Sequence, residues 1–138
     1  MVNAQSGLTI AVAGGATGNG GLIVQTGGSG RAQQWRVEDV GAGCYQLANA
    51  HSGMAMDNPG GSTGNGTQMQ QWSFAPGNIN QTWCFYEAGG GLYSIRNRAS
   101  GLLLAVRAGS SGEGDAVQQW AGDPAAPQPS QSWRLVPA

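Results

Sequence analysis

The sequence predicts an all-β fold assembled from three copies of one four-stranded unit, and two recurring phrases with a near-constant spacing carry that prediction. The first phrase is Gln33-Gln34-Trp35, Gln81-Thr82-Trp83 and Gln131-Ser132-Trp133. The second is Asn3-Ala4-Gln5-Ser6-Gly7, Asn49-Ala50-His51-Ser52-Gly53 and Asn97-Arg98-Ala99-Ser100-Gly101. The tryptophans stand 48 and 50 residues apart, and the Ser-Gly turns 46 and 48 apart. Self-similarity at such a period means that one supersecondary unit has been copied. Three copies, near 1–40, 41–88 and 89–138, fill the chain and are expected to form one domain with a genuine core.

Within each copy the strands follow in order. No segment sustains a period of 3.6, whereas short runs alternate with period two: Tyr45-Gln46-Leu47, Tyr93-Ser94-Ile95, Trp35-Arg36-Val37, Trp83-Cys84-Phe85 and Trp133-Arg134-Leu135. The first strand ends before the Asn…Ser-Gly turn. The second is expected over 8–12, 54–58 and 102–106, and the third over 22–25, 68–72 and 116–120. The fourth carries the Gln-x-Trp. Between them lie turns rich in glycine, such as Gly18-Asn19-Gly20-Gly21 and Gly64-Asn65-Gly66. About twelve strands that close on themselves leave few exposed edges, so a barrel with three equivalent lobes is the economical arrangement. Trp35, Trp83 and Trp133 are expected inside, with Val37, Phe85 and Leu135.

Composition excludes several partners. Charged residues make up 9% of the chain, the net charge is −1, and the six basic residues are scattered arginines, which argues against nucleic acid. No apolar run approaches the roughly 20 residues of a membrane helix, so no membrane insertion is expected. The first residues carry no charged n-region or apolar h-region, so the expected compartment is cytoplasmic for a chain native as written, or secreted for an excised module. Cys44 and Cys84 fall on the outward face of the first and fourth strands of one repeat. A disulfide there would enclose about 40 residues and add roughly 3–4 kcal/mol in the chain-entropy picture. The alternative is two free thiols in a reducing compartment.

In its repeated Gln-x-Trp and Asn…Ser-Gly phrases the chain resembles the ricin B-type (R-type) β-trefoil lectins and the related carbohydrate-binding modules attached to glycosidases. The likeness spans the whole chain. It is fullest in Ser52-Gly53-Met54-Ala55-Met56-Asp57, in the run from Gly61 to Trp72 and in Asn80-Gln81-Thr82-Trp83. The resemblance implies a β-trefoil that binds galactose-type or xylan-type sugars in one shallow pocket per intact repeat. Sugar recognition needs a flat apolar platform for the pyranose C–H face and a few fixed polar groups. In the middle repeat the resemblance assigns Asp57 to accept from two vicinal hydroxyls and Trp72 to stack. Asn80 would donate to and accept from a hydroxyl, Gln81 would hold the Asp57 carboxylate or a hydroxyl, and Gln70 would support the pocket. In the first repeat the matching positions are Ala11, Gly27 and Ala32, with only Gln25 and Gln33 retained. In the third, Gln118, Trp120 and Gln131 match while Ala105 and Ser130 replace the acid and amide. A second, weaker site is expected there, with Asp115 or Glu113 as a substitute acid.

Catalysis is not expected. A glycosidase needs two carboxyl groups about 5–9 Å apart, and this pocket offers one. His51 aligns with Gln5 and Ala99 in a solvated turn and has no partner set for nucleophilic chemistry or metal binding. No cofactor and no metal are expected. The favoured reading is a lectin or module that recognises glycans or glycoproteins, either as a homodimer or appended to an enzyme. The rivals are a xylan- or polysaccharide-targeting module, and a trefoil that binds protein, such as a protease inhibitor, with relic sugar pockets. Sugar binding is expected to fade on acidification far enough to protonate Asp57.

Overall fold

The computed structural model describes residues 1–137, and among them twelve strands and six short 3-10 turns carry the backbone, with no α-helix. The strands are β1 (Val2–Asn3), β2 (Thr9–Val12), β3 (Ile23–Thr26), β4 (Trp35–Gly41), β5 (Cys44–Asn49) and β6 (Ala55–Asp57). They continue as β7 (Gln70–Trp72), β8 (Thr82–Gly89), β9 (Leu92–Asn97), β10 (Leu103–Val106), β11 (Val117–Trp120) and β12 (Trp133–Arg134). Each lies within or beside the run expected for it. The 3-10 turns were not legible in the sequence: three follow the second strands (Ala13–Gly15, Pro59–Gly61, Arg107–Gly109) and three precede the fourth (Arg31–Gln33, Ile79–Gln81, Pro129–Gln131).

The strands make the wall and cap of a β-trefoil. Wall ladders β4·β5, β8·β9 and β12·β1 join successive repeats, while β5·β8 and β9·β12 join first and fourth strands within one. The hairpins β2·β3, β6·β7 and β10·β11 form the cap. The third strands meet at its centre, where Ile23 donates its N–H to the Met69 carbonyl and Met69 to that of Val117, each at 3.0 Å. The side chains of Ile23, Met69 and Val117 are buried there, above Ile10, Met56, Leu104, Trp83 and Trp133. Each Gln-x-Trp indole donates to a second-strand carbonyl at 3.0 Å: Trp35 to Ile10, Trp83 to Met56 and Trp133 to Leu104.

The wall departs from full closure at one seam. Among the described residues no ladder joins β1 to β4; Val2 and Asn3 pair with β12, and Val2 also with β2. A largely apolar cavity of about 560 Å³ opens there, lined by Met1, Val2, Trp35, Tyr45, Phe85 and Leu135 among others. Trp35 is therefore only partly buried, and Val37 and Leu135 are exposed rather than in the core, contrary to the alternation rule. Cys44 and Cys84 are directly opposite in the β5·β8 ladder and are joined by a disulfide. They face away from the barrel centre, yet both are buried.

The Asn…Ser-Gly phrase proves to be architectural. Asn3, Asn49 and Asn97 each accept, through Oδ1, from the backbone N–H groups two and three residues on. Their Nδ2 groups reach across to the carbonyls of Ser130, Ala32 and Asn80 at 3.0, 2.8 and 3.1 Å. Each asparagine thereby ties its own turn to the 3-10 turn before the fourth strand of the adjoining repeat: β12 for Asn3, β4 for Asn49 and β8 for Asn97. Such local Asx chemistry satisfies backbone groups that no ladder serves.

Candidate functional site

Asp57 is the last residue of β6 and stands opposite Gln70 of β7. Its neighbour Met56 points into the core, so the period-two alternation turns the Asp57 side chain to the other face. Both carboxylate oxygens are held: Gln70 Nε2 donates to Oδ1 and Gln81 Nε2 to Oδ2, each at 3.1 Å. Gln81 is itself immobilised. Its Nε2 also donates to the Ser73 carbonyl at 3.0 Å, and its Oε1 accepts from the Ala75 N–H at 3.0 Å. Asp57 is 5% exposed, so its carboxylate sits in a fixed orientation with lone pairs remaining for a ligand.

Trp72 lies two residues beyond Gln70 and therefore on the same face of β7, with 44% of its surface exposed. Its backbone is anchored from the neighbouring repeat, because Asn19 Oδ1 accepts from the Ser73 N–H at 2.7 Å. Asn80 sits in the 3-10 turn before β8, its carbonyl accepting from Asn58 N–H (3.0 Å) and Asn97 Nδ2 (3.1 Å). Its side chain passes over Gly61, where a Cβ would come within 2.8 Å of Asn80 Oδ1, and Gly61 has φ +64°. The glycine is required there for both reasons. All five residues named from the sequence thus come from three adjoining elements.

The other two repeats share the backbone and not the chemistry. The β2·β3 register sets Ala11 against Val24 and Thr9 against Thr26, just as β6·β7 sets Asp57 against Gln70 and Ala55 against Trp72. The platform position of the first repeat is therefore Thr26 rather than Gly27, and Val24, not Gln25, corresponds to Gln70. The three hairpins are of equal length, so Gln25 is the counterpart of Gln71 and the register expected for the first repeat is one residue out. Gln33 is consumed internally, donating to Thr26 Oγ1 at 2.7 Å and accepting from the Gly30 N–H at 2.6 Å.

In the third repeat, Ala105 stands opposite Gln118 and Leu103 opposite Trp120. Neither proposed substitute acid reaches that cleft. Glu113 Oε1 accepts from the Gly27 N–H at 2.6 Å, on the first repeat, and the Asp115 carboxylate is engaged by Ser110 Oγ. The loop that bears them packs on the neighbouring copy, as the equivalent loops with Asn19 and Asn65 do.

The chain matches, over residues 1–72 and 79–138, the family described as ricin-type beta-trefoil lectin domain-like. The chain belongs to that family. Among solved structures, this ricin-type trefoil is similar to the designed threefold symmetric protein ThreeFoil, at 36% identity and a TM-score of 0.93, over 99% of this chain and 96% of that one. It is similar to an exo-beta-1,3-galactanase from Clostridium thermocellum at 35% identity and a TM-score of 0.90, over 98% of this chain and 29% of that one. The hemolytic lectin CEL-III gives 26% identity and a TM-score of 0.72, over 98% of this chain and 29% of that one. A comparison of the sequence with curated proteins found no match.

Three buried glutamines of this ricin-type trefoil are structural: Gln71 and Gln119 were not singled out from the sequence, and Gln25, expected at a pocket position, belongs with them. Gln25, Gln71 and Gln119 each accept from the hydroxyl of Ser6, Ser52 or Ser100 at 2.7–2.8 Å. Each donates to two carbonyls in a loop of the adjacent repeat: Ser110 and Gly112, Ala16 and Gly18, or Ser62 and Gly64. They clamp the repeats together. The signal was present as a constant Ser-to-Gln offset of 19 residues, three times over.

Proposed function

We propose that this chain is a carbohydrate-binding lectin domain that takes galactose- or N-acetylgalactosamine-type glycans in a shallow pocket of its middle repeat. The residues are Asp57, Gln70, Trp72, Asn80 and Gln81. One observation carries the reading: a carboxylate tethered through both oxygens by two amides, beside an indole left 44% exposed. A tethered carboxylate meets vicinal hydroxyls without first losing conformational freedom, and the indole receives the apolar face of the ring. The three repeats, near 1–40, 41–88 and 89–138, act as a single domain. The pocket recognises rather than reacts, since it presents one carboxylate where glycoside hydrolysis uses two. Partners are glycans or glycoproteins, with no part for nucleic acid or membrane insertion.

A small polar ligand in one shallow pocket is held weakly, at about millimolar dissociation constants. Galactose titration followed by tryptophan fluorescence tests the reading. Saturable binding lost in Asp57→Ala and weakened about tenfold in Trp72→Ala, with the fold intact, is the expected result. Equal binding by both variants, or none by the native chain, overturns it.

A second reading is supported by the galactanase, in which the matched stretch is 29% of that chain. Under it the chain is a polysaccharide-targeting module of a glycosidase, gaining avidity from its tether rather than from a homodimer. Sedimentation decides between them: a strict monomer favours the module, a dimer the free-standing lectin.

A further inference from the structure

We infer that the cleft of the third repeat is a second saccharide site, selective for a sugar that carries its own carboxylate. This rests on the lectin reading above and names a ligand class for a different pocket.

The cleft has a volume of about 750 Å³ and is lined by Ala105, Arg107, Gln118, Trp120, Ser130 and Gln131, with Gly66 contributed by the second repeat. Its platform matches that of the middle repeat, since Trp120 is 47% exposed. A Cβ on Gly66 would stand 3.7 Å from the Trp120 ring, so the glycine makes the wall beside it. The polar groups differ in a consistent direction. Gln70 donates to Asp57, but its counterpart Gln118 faces Ala105 and, among the described residues, has no hydrogen-bond partner although it is only 6% exposed. Gln81 donates to the Ser73 carbonyl and to Asp57; its counterpart Gln131 keeps the equivalent bond to the Ala121 carbonyl at 3.0 Å and, in place of the carboxylate, has only a long 3.4 Å contact to the Trp120 carbonyl. The amides that hold a carboxylate in the middle repeat are retained, and the protein's carboxylate is gone.

A cation has been added. Arg107 occupies the position of Pro59, two residues after Ala105 as Pro59 is after Asp57, and it lines the cleft. Among the described residues the Arg107 side chain makes no ion pair or hydrogen bond, and no Asp or Glu lines the cavity. The Gln118 amide opens on the cleft and is unpaired within the protein, and a charge-assisted bond is the strongest it can make there. A ligand carboxylate seated above Ala105 would receive Gln118 and face Arg107, with its pyranose ring on Trp120. A neutral hexose supplies only hydroxyls and leaves the guanidinium unpaired.

The test follows the indole N–H resonances of Trp72 and Trp120 by NMR, assigned with single Trp→Phe variants. Galactose, galacturonic acid, N-acetylneuraminic acid and acetate are titrated separately into the native chain. Galacturonic or N-acetylneuraminic acid is expected to shift Trp120 at concentrations where galactose does not, and whichever binds tighter identifies the acidic sugar. Arg107→Gln, at an exposed position, should weaken that binding about fivefold, as befits an ion pair open to water. Ala105→Asp, which restores the protein's own acid, should repel the acidic sugar and let galactose shift Trp120. The inference is overturned if galactose and the acidic sugars shift Trp120 alike, if acetate does as well as the sugars, or if Arg107→Gln binds unchanged. Galactose at Trp72 with no acidic sugar at Trp120 sinks this inference alone. The converse result sinks the middle-repeat reading and leaves this one standing.

Discussion

In the middle repeat Asp57 stands opposite Gln70, and in the third Ala105 stands opposite Gln118 at the same point of the same hairpin. Around that difference almost everything else is shared. Trp83 and Trp133 are both fully buried and donate to equivalent carbonyls, and Gln71 and Gln119 clamp equivalent loops. The wall differs in one respect: the disulfide of Cys44 and Cys84 in β5·β8 corresponds to Leu92 opposite Arg134 in β9·β12. The comparison separates two layers. Residues that hold one repeat against the next are the same in both copies, while residues that face the cleft have diverged, because a side chain directed at the cleft can change without opening a core cavity.

Four experiments would break or sharpen that separation. The largest effect is expected from the disulfide. Reduction, or the paired Cys44→Ser and Cys84→Ser change, should lower unfolding stability by about 3–4 kcal/mol in the chain-entropy picture. Denaturant melts with and without reductant measure it, and galactose binding below the transition should survive, since Leu92 and Arg134 show that the ladder forms without a bridge. Survival of stability on reduction would mean that the bridge constrains nothing.

Next is Asp57→Ala, which makes the middle cleft resemble the third. It strands the Gln70 and Gln81 amides and should cost about 1–3 kcal/mol of stability, besides abolishing galactose binding. A variant as stable as the native chain would show that those amides find other partners. Trp72→Ala follows. Because the ring is exposed, stability should stay within about 0.5 kcal/mol, while galactose affinity falls about tenfold, or roughly 1.4 kcal/mol. A large loss of stability instead would assign Trp72 to packing. The smallest change is expected from Gly61→Ala, where the left-handed backbone costs about 1 kcal/mol and the added methyl pushes Asn80 aside. Thermal melting and galactose titration should therefore both move slightly. An effect on melting alone would remove Asn80 from the pocket.

Much of this was legible in the sequence, for reasons that particular residues make plain. Gln-x-Trp recurs because each indole must meet the same second-strand carbonyl, so Trp83 and Trp133 could be assigned to the core from spacing alone. Asp57, Gln70, Trp72, Asn80 and Gln81 were recognisable together because they lie on three adjoining elements of one repeat. Val37 and Leu135 were misplaced because alternation states which side of a strand a residue takes, not whether anything covers that side. The open seam between β1 and β4 decides their exposure. Thr26 takes the platform position because Ala11 and Val24 are spaced as Asp57 and Gln70 are; Gln25 matches Gln70 in residue type but Gln71 in position, which displaces the expected register by one. Glu113 was assigned to the wrong cleft because its loop packs across a repeat boundary.

The amino-acid order by itself determined the threefold repeat, the all-β character, the family and the cluster of side chains at Asp57, since each depends on short-range patterns written within a single copy. The tertiary structure alone decided that Cys44 meets Cys84, that the Gln118 side chain has no hydrogen-bond partner among the described residues, and that Arg107 lines the cleft of Trp120. Those facts concern which strands and loops become neighbours, and that depends on packing three copies around one axis.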